Sequence, residues 1–563
     1  MNRREFVKVL VASGAGRLCV PSALAGEVPL FRVGIVTDTH VQKIPPDAKP
    51  SYRAFLEDSY VRVERAYELF KRHGVSLIAN LGDISHDYHP DGYKRYADIR
   101  RATFPDADTA PKELYVWAGH DWRGHPERNE QKACEQAWQT VRKLLGIANE
   151  RTDSLVFGGF RFLVFPQYVD YAHYERMIAE ACRKSPERPV FVCEHVPAYD
   201  TTEDSVIWGD RRRREILSKF PQVITLTGHS HGSLRNERNI WQGEFTNVSA
   251  GCLAHWNAPL PGCSDETYRS WGCLVMEVYP NRAVFRRFDL QDRSEIGAGN
   301  PWTVSWPFDP KTAPYNPRVR AAHEKSPAFP SGSQLTLTTD DPSGFSDVRV
   351  SFPSAGPTDA VHFHRVELAK PDKGGDWVVF ARCDVRADYH LRPKERHAVS
   401  SKRLSSAYFE GLKRCRITVT PVDFWGNAGQ PLSKVWDVPR TARWKTVWAG
   451  VPAPAEAGRA FALGQPDLKF ELPELPAAAV PKGVRLRIVA DLKLKLDDPT
   501  PLRFALYGRM SGGFLFHLTP YGGDSDLRYA QEFESAGDTR YAFRTRYGGR
   551  GSVLFRTFRI EAR

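Results

Sequence analysis

The stretch Val223-Ile224-Thr225-Leu226-Thr227-Gly228-His229-Ser230-His231 decides how this chain reads. Five residues with high β propensity stand in a row, followed by a glycine and two histidines two positions apart. A short apolar run closed by a turn residue reads as a buried strand. The same grammar recurs upstream. Val33 to Thr37 runs into Asp38-Thr39-His40, Val75 to Ala79 leads to Gly82-Asp83, Leu114 to Trp117 leads to Gly119-His120-Asp121, and Val190 to Cys193 runs into Glu194-His195. Between these runs, Leu56, Tyr60, Val63, Tyr67 and Phe70 recur at helical spacing, and Gly74 is placed to close that helix. Residues 128–145 and 208–219 carry further helical patterns, and Ser154 to Phe165 reads as a hairpin about Gly158-Gly159. The alternation predicts an α/β domain with some antiparallel pairing.

In such a sheet the carboxyl ends of the strands open onto the ligand crevice, so five strand ends converge on one point. Alternation in extended chain predicts that Asp38 and His40 face one centre, as do His229 and His231. Carboxylates with imidazoles suit Mn, Fe or Zn, and a short aspartate can bridge two cations. The ordered set D-x-H, G-D, G-N-H-D/E, H, G-H-x-H resembles the calcineurin-like metallophosphoesterase superfamily over about residues 31–290. The resemblance implies an α/β fold, a four-layer-type β-sandwich flanked by helices. It implies two divalent or trivalent transition metal ions, one bound by Asp38, His40 and His231, the other by His195 and His229, with Asp83 bridging. His120 matches the family's catalytic histidine, which stands near the leaving group. The implied reaction is hydrolysis of a phosphate mono- or diester by a hydroxide that bridges the metals. One position departs: Gly119 stands where the family has asparagine, which leaves the second metal a ligand short. That metal would bind weakly, be completed by water, or recruit a neighbour such as His86, Asp87 or Asp121, each of which otherwise reads as a solvated loop residue.

At 563 residues, with 41% hydrophobic and 26% charged residues, the chain has material for several buried cores. Its net charge of +12 includes four cations and one anion within residues 1–25. The remaining excess is spread out and lacks the dense basic runs of a nucleic-acid platform. Residues 1–25 read as a twin-arginine signal, with Arg3-Arg4, a weakly apolar stretch and an Ala23-Leu24-Ala25 cleavage site. A periplasmic or secreted protein is the expectation. No later run is long enough to span a bilayer. In that compartment Cys383 and Cys415, read as lying on neighbouring strands, could pair, as could two of Cys252, Cys263 and Cys273.

The domain reading is a metallophosphoesterase domain at 26–295, a proline-rich linker at 296–330, a β-sandwich at 331–440 and a C-terminal all-β domain at 441–563. Short alternating runs separated by turns carry the two all-β assignments. The segment Thr420 to Asn427 resembles a late strand and turn of a fibronectin type III-like domain. Two rival functions follow from the same residues. In one, a weakened phosphoesterase-like domain acts as a cell-surface or glycan-binding module. In the other, Trp377, Tyr389, Trp444 or Trp448 of the β domains stacks on sugars. The run Arg211-Arg212-Arg213-Arg214 reads as a solvated helix start. No G-x-x-x-x-G-K-[ST] loop and no G-x-S-x-G elbow occurs, which leaves ATP-driven and serine-hydrolase chemistry without their usual supports.

Overall fold

The computed structural model describes residues 27–563 except 49, 203–204, 254–270, 324–325, 357–360, 451–459, 464–468, 498–501, 509–511, 519–522 and 547–549. The Arg3-Arg4 leader and Cys263 lie outside the described residues. The chain begins with β1 (Phe31–Val36), α1 (Pro50–Arg72), β2 (Leu77–Asn80), α2 (Pro90–Thr103), β3 (Lys112–Tyr115) and α3 (Glu130–Leu145). It continues with β4 (Asp153–Phe157), β5 (Phe160–Val164), α4 (Tyr171–Lys184), β6 (Val190–Cys193), α5 (Ser205–Trp208), α6 (Arg211–Leu217) and β7 (Val223–Thr227). The strands β8 (Ile240–Gln242), β9 (Thr246–Ser249), β10 (Gly272–Val278), β11 (Arg282–Asp289), β12 (Ser294–Ile296) and β13 (Trp302–Ser305) complete this half.

Two mixed sheets result. One runs β12-β11-β10-β1-β2-β3, with β13 added to β11, and the other runs β4-β5-β6-β7-β9-β8. The strands that carry the site pair in parallel with one another, β1 with β2, β2 with β3 and β6 with β7, while β1 is antiparallel to β10 on its other side. Period-two alternation sorts their side chains. Val33, Ile35, Leu77 and Ala79 enter one cluster with Phe162, Phe191, Ile224 and Leu226 of the other sheet. Val36 and Ile78 join Tyr67, Phe70, Tyr96 and Trp138 of the helices instead. A third cluster packs Leu163, Val192 and Val223 against Tyr174, Ile178 and Ile216.

Several expectations shift. The helices α2 and α4 stand where no element was read. The stretch read as a linker contains β13, because Trp302 is buried, donates from its indole to Glu237 at 2.9 Å and stacks under Arg287. Cys383 and Cys415 do not lie on neighbouring strands. Trp377–Arg386 and Arg414–Asp423 flank Val361–Pro371 on opposite sides, and both thiols are free. Strands two apart are about 9–10 Å from each other, beyond disulfide reach.

Beyond the first half the chain is almost all β. A three-stranded and a four-stranded sheet occupy Thr336 to Asp437, and a five-stranded and a four-stranded sheet occupy Lys445 to Ala562. Phe345, Val350, Val366 and Ile417 knit the first pair together, while Leu486, Ile488, Phe543 and Phe555 do so for the second. Trp377, Tyr389, Trp444 and Trp448 are each partly buried; Tyr389 donates to Glu237 of the first half at 3.2 Å.

Gly34 lets α1 lie close on β1, since a Cβ there would stand 2.7 Å from the Phe70 ring. Gly34→Ala should therefore cost about 1–3 kcal/mol by overpacking. A urea titration followed by tryptophan fluorescence checks this, and an unchanged midpoint would contradict it.

Candidate metal centre

The ends of β1, β2 and β7 turn their functional residues inward through unusual backbone. Among the described residues, seven that are not glycine have positive φ, and five of them are Asp38, His40, Asp83, His229 and His231. L-residues in this region are strained and persist only where the surroundings hold them. Asp38 and His40 thus converge through left-handed turns rather than through the strand alternation expected from sequence, and so do His229 and His231. Backbone bonds fix the turns: Asp38 N–H donates to Gly82 O and His40 N–H to Asp83 O, each at 3.0 Å. Gly228 is required for this closeness, because a Cβ there would meet Thr37 Oγ1 at 1.9 Å and Asp38 Oδ2 at 2.5 Å.

The carboxylates are aimed. Asp38 Oδ2 accepts from the Thr37 hydroxyl at 2.7 Å and from His229 N–H at 2.8 Å, which leaves Oδ1 turned to the centre. Buried Oδ1 has no hydrogen-bond donor, yet the Nε2 atoms of His231, His40 and His195 lie 3.0, 3.6 and 3.8 Å from it. Asp83 Oδ1 accepts from His120 N–H at 3.0 Å, and its Oδ2 stands 3.1 Å from His195 Nε2 and 3.8 Å from His40 Nε2. His195 Nδ1 faces the Leu81 carbonyl at 2.8 Å. A carbonyl only accepts, so Nδ1 carries the hydrogen, and in the neutral imidazole Nε2 presents its lone pair inward.

Two donor triads emerge, Asp38–His40–His231 and Asp83–His195–His229, each with its ligand atoms within 4.8 Å of one another. A lone oxygen ringed by imidazole nitrogens without a hydrogen-bond donor, beside a second carboxylate, is a donor set that suits transition metal cations. A third group, His40–His86–His120, adjoins them.

The electrostatics agree. Burial would raise Asp38 and Asp83, but His231 and His195 beside Asp38, and His195 and His40 beside Asp83, hold both carboxyls well below their ordinary range. Burial lowers His40 to about 4, and burial with the neighbouring His195 lowers His229 to about 3. Burial also works against a charge on His195, yet Asp83 and Asp38 outweigh it and lift that imidazole to about 9. Without a cation, the centre keeps a proton there.

The surrounding residues divide. His120 points Nδ1 at the His86 carbonyl, 2.7 Å away, and its Nε2 lies 3.3 Å from Arg123 Nη1. Asp87 is exposed and pairs with Arg123 at 2.7 Å. Asp121 is not the solvated residue expected of a loop. It is buried and accepts the N–H groups of Asp83, Ile84 and Ser85 at 3.2, 2.9 and 3.3 Å, so it shapes the turn that carries Asp83. Burial and the nearby Asp83 raise its carboxyl to about 7. The arginine run does start a helix, with Arg211 and Arg212 exposed as expected, but one member departs. Arg213 is fully buried, pairs with Glu194 at 3.1 Å and donates to the Val196, Pro166 and Gln167 carbonyls. Arg123 and Gln167 have no motif in the sequence; only the fold brings them here.

No family model matches the chain, and no curated protein matches it. Solved structures similar to it include a dimetal phosphatase from Danio rerio, 13% identical, covering 49% of this chain and 99% of that one, with a TM-score of 0.31. A protein from Thermus thermophilus is 12% identical, covers 50% of this chain and 99% of its own, and has a TM-score of 0.28. A predicted phosphoesterase from Streptococcus pneumoniae is 11% identical over 49% of this chain and 97% of its own, with a TM-score of 0.23. At such scores the likeness decides nothing about chemistry, which rests on the side chains themselves. No helix among the described residues is long and apolar enough to cross a membrane.

A cation entering the second triad must displace the proton on His195. Apparent Mn2+ affinity should therefore climb about tenfold per pH unit and level off above about pH 9. Calorimetric titration in buffers of different ionisation enthalpy measures the released proton, and a pH-independent affinity would contradict the expectation.

Proposed function

We propose that this chain is an exported metal-dependent phosphoesterase that hydrolyses a phosphate mono- or diester. The observation that carries the reading is the meeting of two donor triads at one buried centre. Asp38, His40 and His231 would hold one cation, His195 and His229 the other, and Asp83 would serve both, its Oδ2 being within 4 Å of imidazoles from each triad. Cations bound there supply charge neutralisation at phosphoryl oxygens and acidify the attacking water. The Arg3-Arg4 leader and Ala23-Leu24-Ala25 support export.

The chain's own residues supply the remainder. His120 borders the first triad, its ring centroid 4.7 Å from that of His40. With Nδ1–H committed to the His86 carbonyl and Nε2 accepting from Arg123 at 3.3 Å, Nε2 is the atom that would take up a proton for the departing oxygen once Arg123 turns to the ester. Arg123 lies against that nitrogen and is half exposed, so its guanidinium can take the anionic oxygens of an arriving ester. Asp121 and Arg213 act through others. The first fixes the Asp83 turn, and the second binds the strand end that carries His195.

His120→Asn should lower kcat by about 10²- to 10⁴-fold with metal content unchanged. Assays of mono- and diester aryl phosphates with Mn, Fe or Zn, paired with elemental analysis, check this. Equal turnover in the variant, or no hydrolysis by the wild-type protein with any of these metals, would sink the proposal.

A further inference from the structure

The second triad offers three side-chain donors, and the neighbouring Gly119 brings none. The space over Gly119 is nevertheless filled. A Cβ built on it would stand 3.0 Å from Gln167 Oε1, 3.4 Å from its Nε2 and 3.5 Å from its Cδ. The Gln167 carboxamide therefore sits where a side chain at 119 would begin, and the two positions exclude one another. Its Oε1 accepts Gly119 N–H at 2.6 Å. An amide oxygen has two lone pairs, so one remains for a further partner.

The backbone of Gln167 is fixed from two sides of the centre. Its N–H donates to Trp117 O at 2.8 Å, on the segment that leads to Gly119. Its carbonyl accepts from Arg213 at 2.9 Å, and the same guanidinium reaches Val196 O, the residue after His195, at 3.1 Å. Gly119 itself lies beside the triad, since the next N–H, of His120, donates to Asp83 Oδ1 at 3.0 Å. A neutral, hard oxygen is thus held against Gly119, one residue from the N–H that binds Asp83, on a backbone that Arg213 ties to the residue after His195.

We infer that Gln167 is the fourth protein donor of the Asp83–His195–His229 centre, its amide oxygen standing in for the side chain that Gly119 lacks. The inference rests on the metal-centre reading above. It predicts that the second site of this chain is complete, by a residue 48 positions downstream of Gly119 in sequence.

The test is Mn2+ stoichiometry and affinity, measured by equilibrium dialysis with elemental analysis on the full chain. Wild-type protein should bind two Mn2+ per chain. Gln167→Leu should keep the first and bind the second on the order of tenfold or more weakly. Gln167→Glu, which keeps an oxygen, and the double variant Gly119→Asn/Gln167→Ala should each retain both ions. Circular dichroism melting confirms that each variant is folded. Two ions bound with unchanged affinity in Gln167→Leu, or failure of both oxygen-bearing variants to hold the second, would overturn the Gln167 assignment alone. A wild-type chain that binds no Mn2+ would overturn the metal-centre reading together with it.

Discussion

Two buried carboxylates and four imidazoles crowd into one centre, and the rest of the first half of the chain is arranged to keep them there. Such a collection is unfavourable by itself. Desolvation raises the energy of each charge, and the Nε2 atoms of His40 and His231 and Oδ1 of Asp38 crowd within about 3–4 Å of one another. Five of its residues also sit in left-handed backbone, at a cost of order 1–3 kcal/mol each. A cation held there would offset the two carboxylate charges, as a proton on His195 does in part.

The sheets provide what this demands. Parallel pairing of β1 with β2 and of β6 with β7 brings the strand ends to one edge, and the cluster between the two sheets fixes their spacing. Asp121 and Arg213 then devote buried polar groups to shaping loops rather than to the ligand. The β-rich second half meets this framework through Tyr389 on Glu237 and Arg320 over Trp425. Glu237 also receives Trp302 and Arg287, so one carboxylate ties β11 and β13 to the following sandwich.

Much of this was legible in sequence because strand ends announce themselves. Val190–Cys193 and Val223–Thr227 are continuous apolar or β-branched runs, and their bounds coincide with the observed strands. The strand read as Val75 to Ala79 is observed at Leu77–Asn80, because Val75 belongs to the turn after α1. Helix α2 escaped because Lys94, Arg95, Arg100 and Arg101 mask its buried face of Tyr93, Tyr96 and Ala97. Helix α4 had its signal in Asp170, which caps it, and in Tyr174, Ile178 and Ala181 on one face. The six Asp and His positions that gather here were readable because each stands just after one of four strands, β1, β2, β6 and β7. Arg123 and Gln167 were not, since nothing in local spacing links either to the centre. The compensation at Gly119 exists only once the segments that follow β3 and β5 meet across the two sheets.

Anomalous diffraction from crystals grown with Mn2+ tests the central claim most directly. Two peaks are expected, one bounded by Asp38, His40 and His231 and the other by Asp83, His195 and His229. No peak at this centre, with Mn2+ bound elsewhere or not at all, would contradict the account.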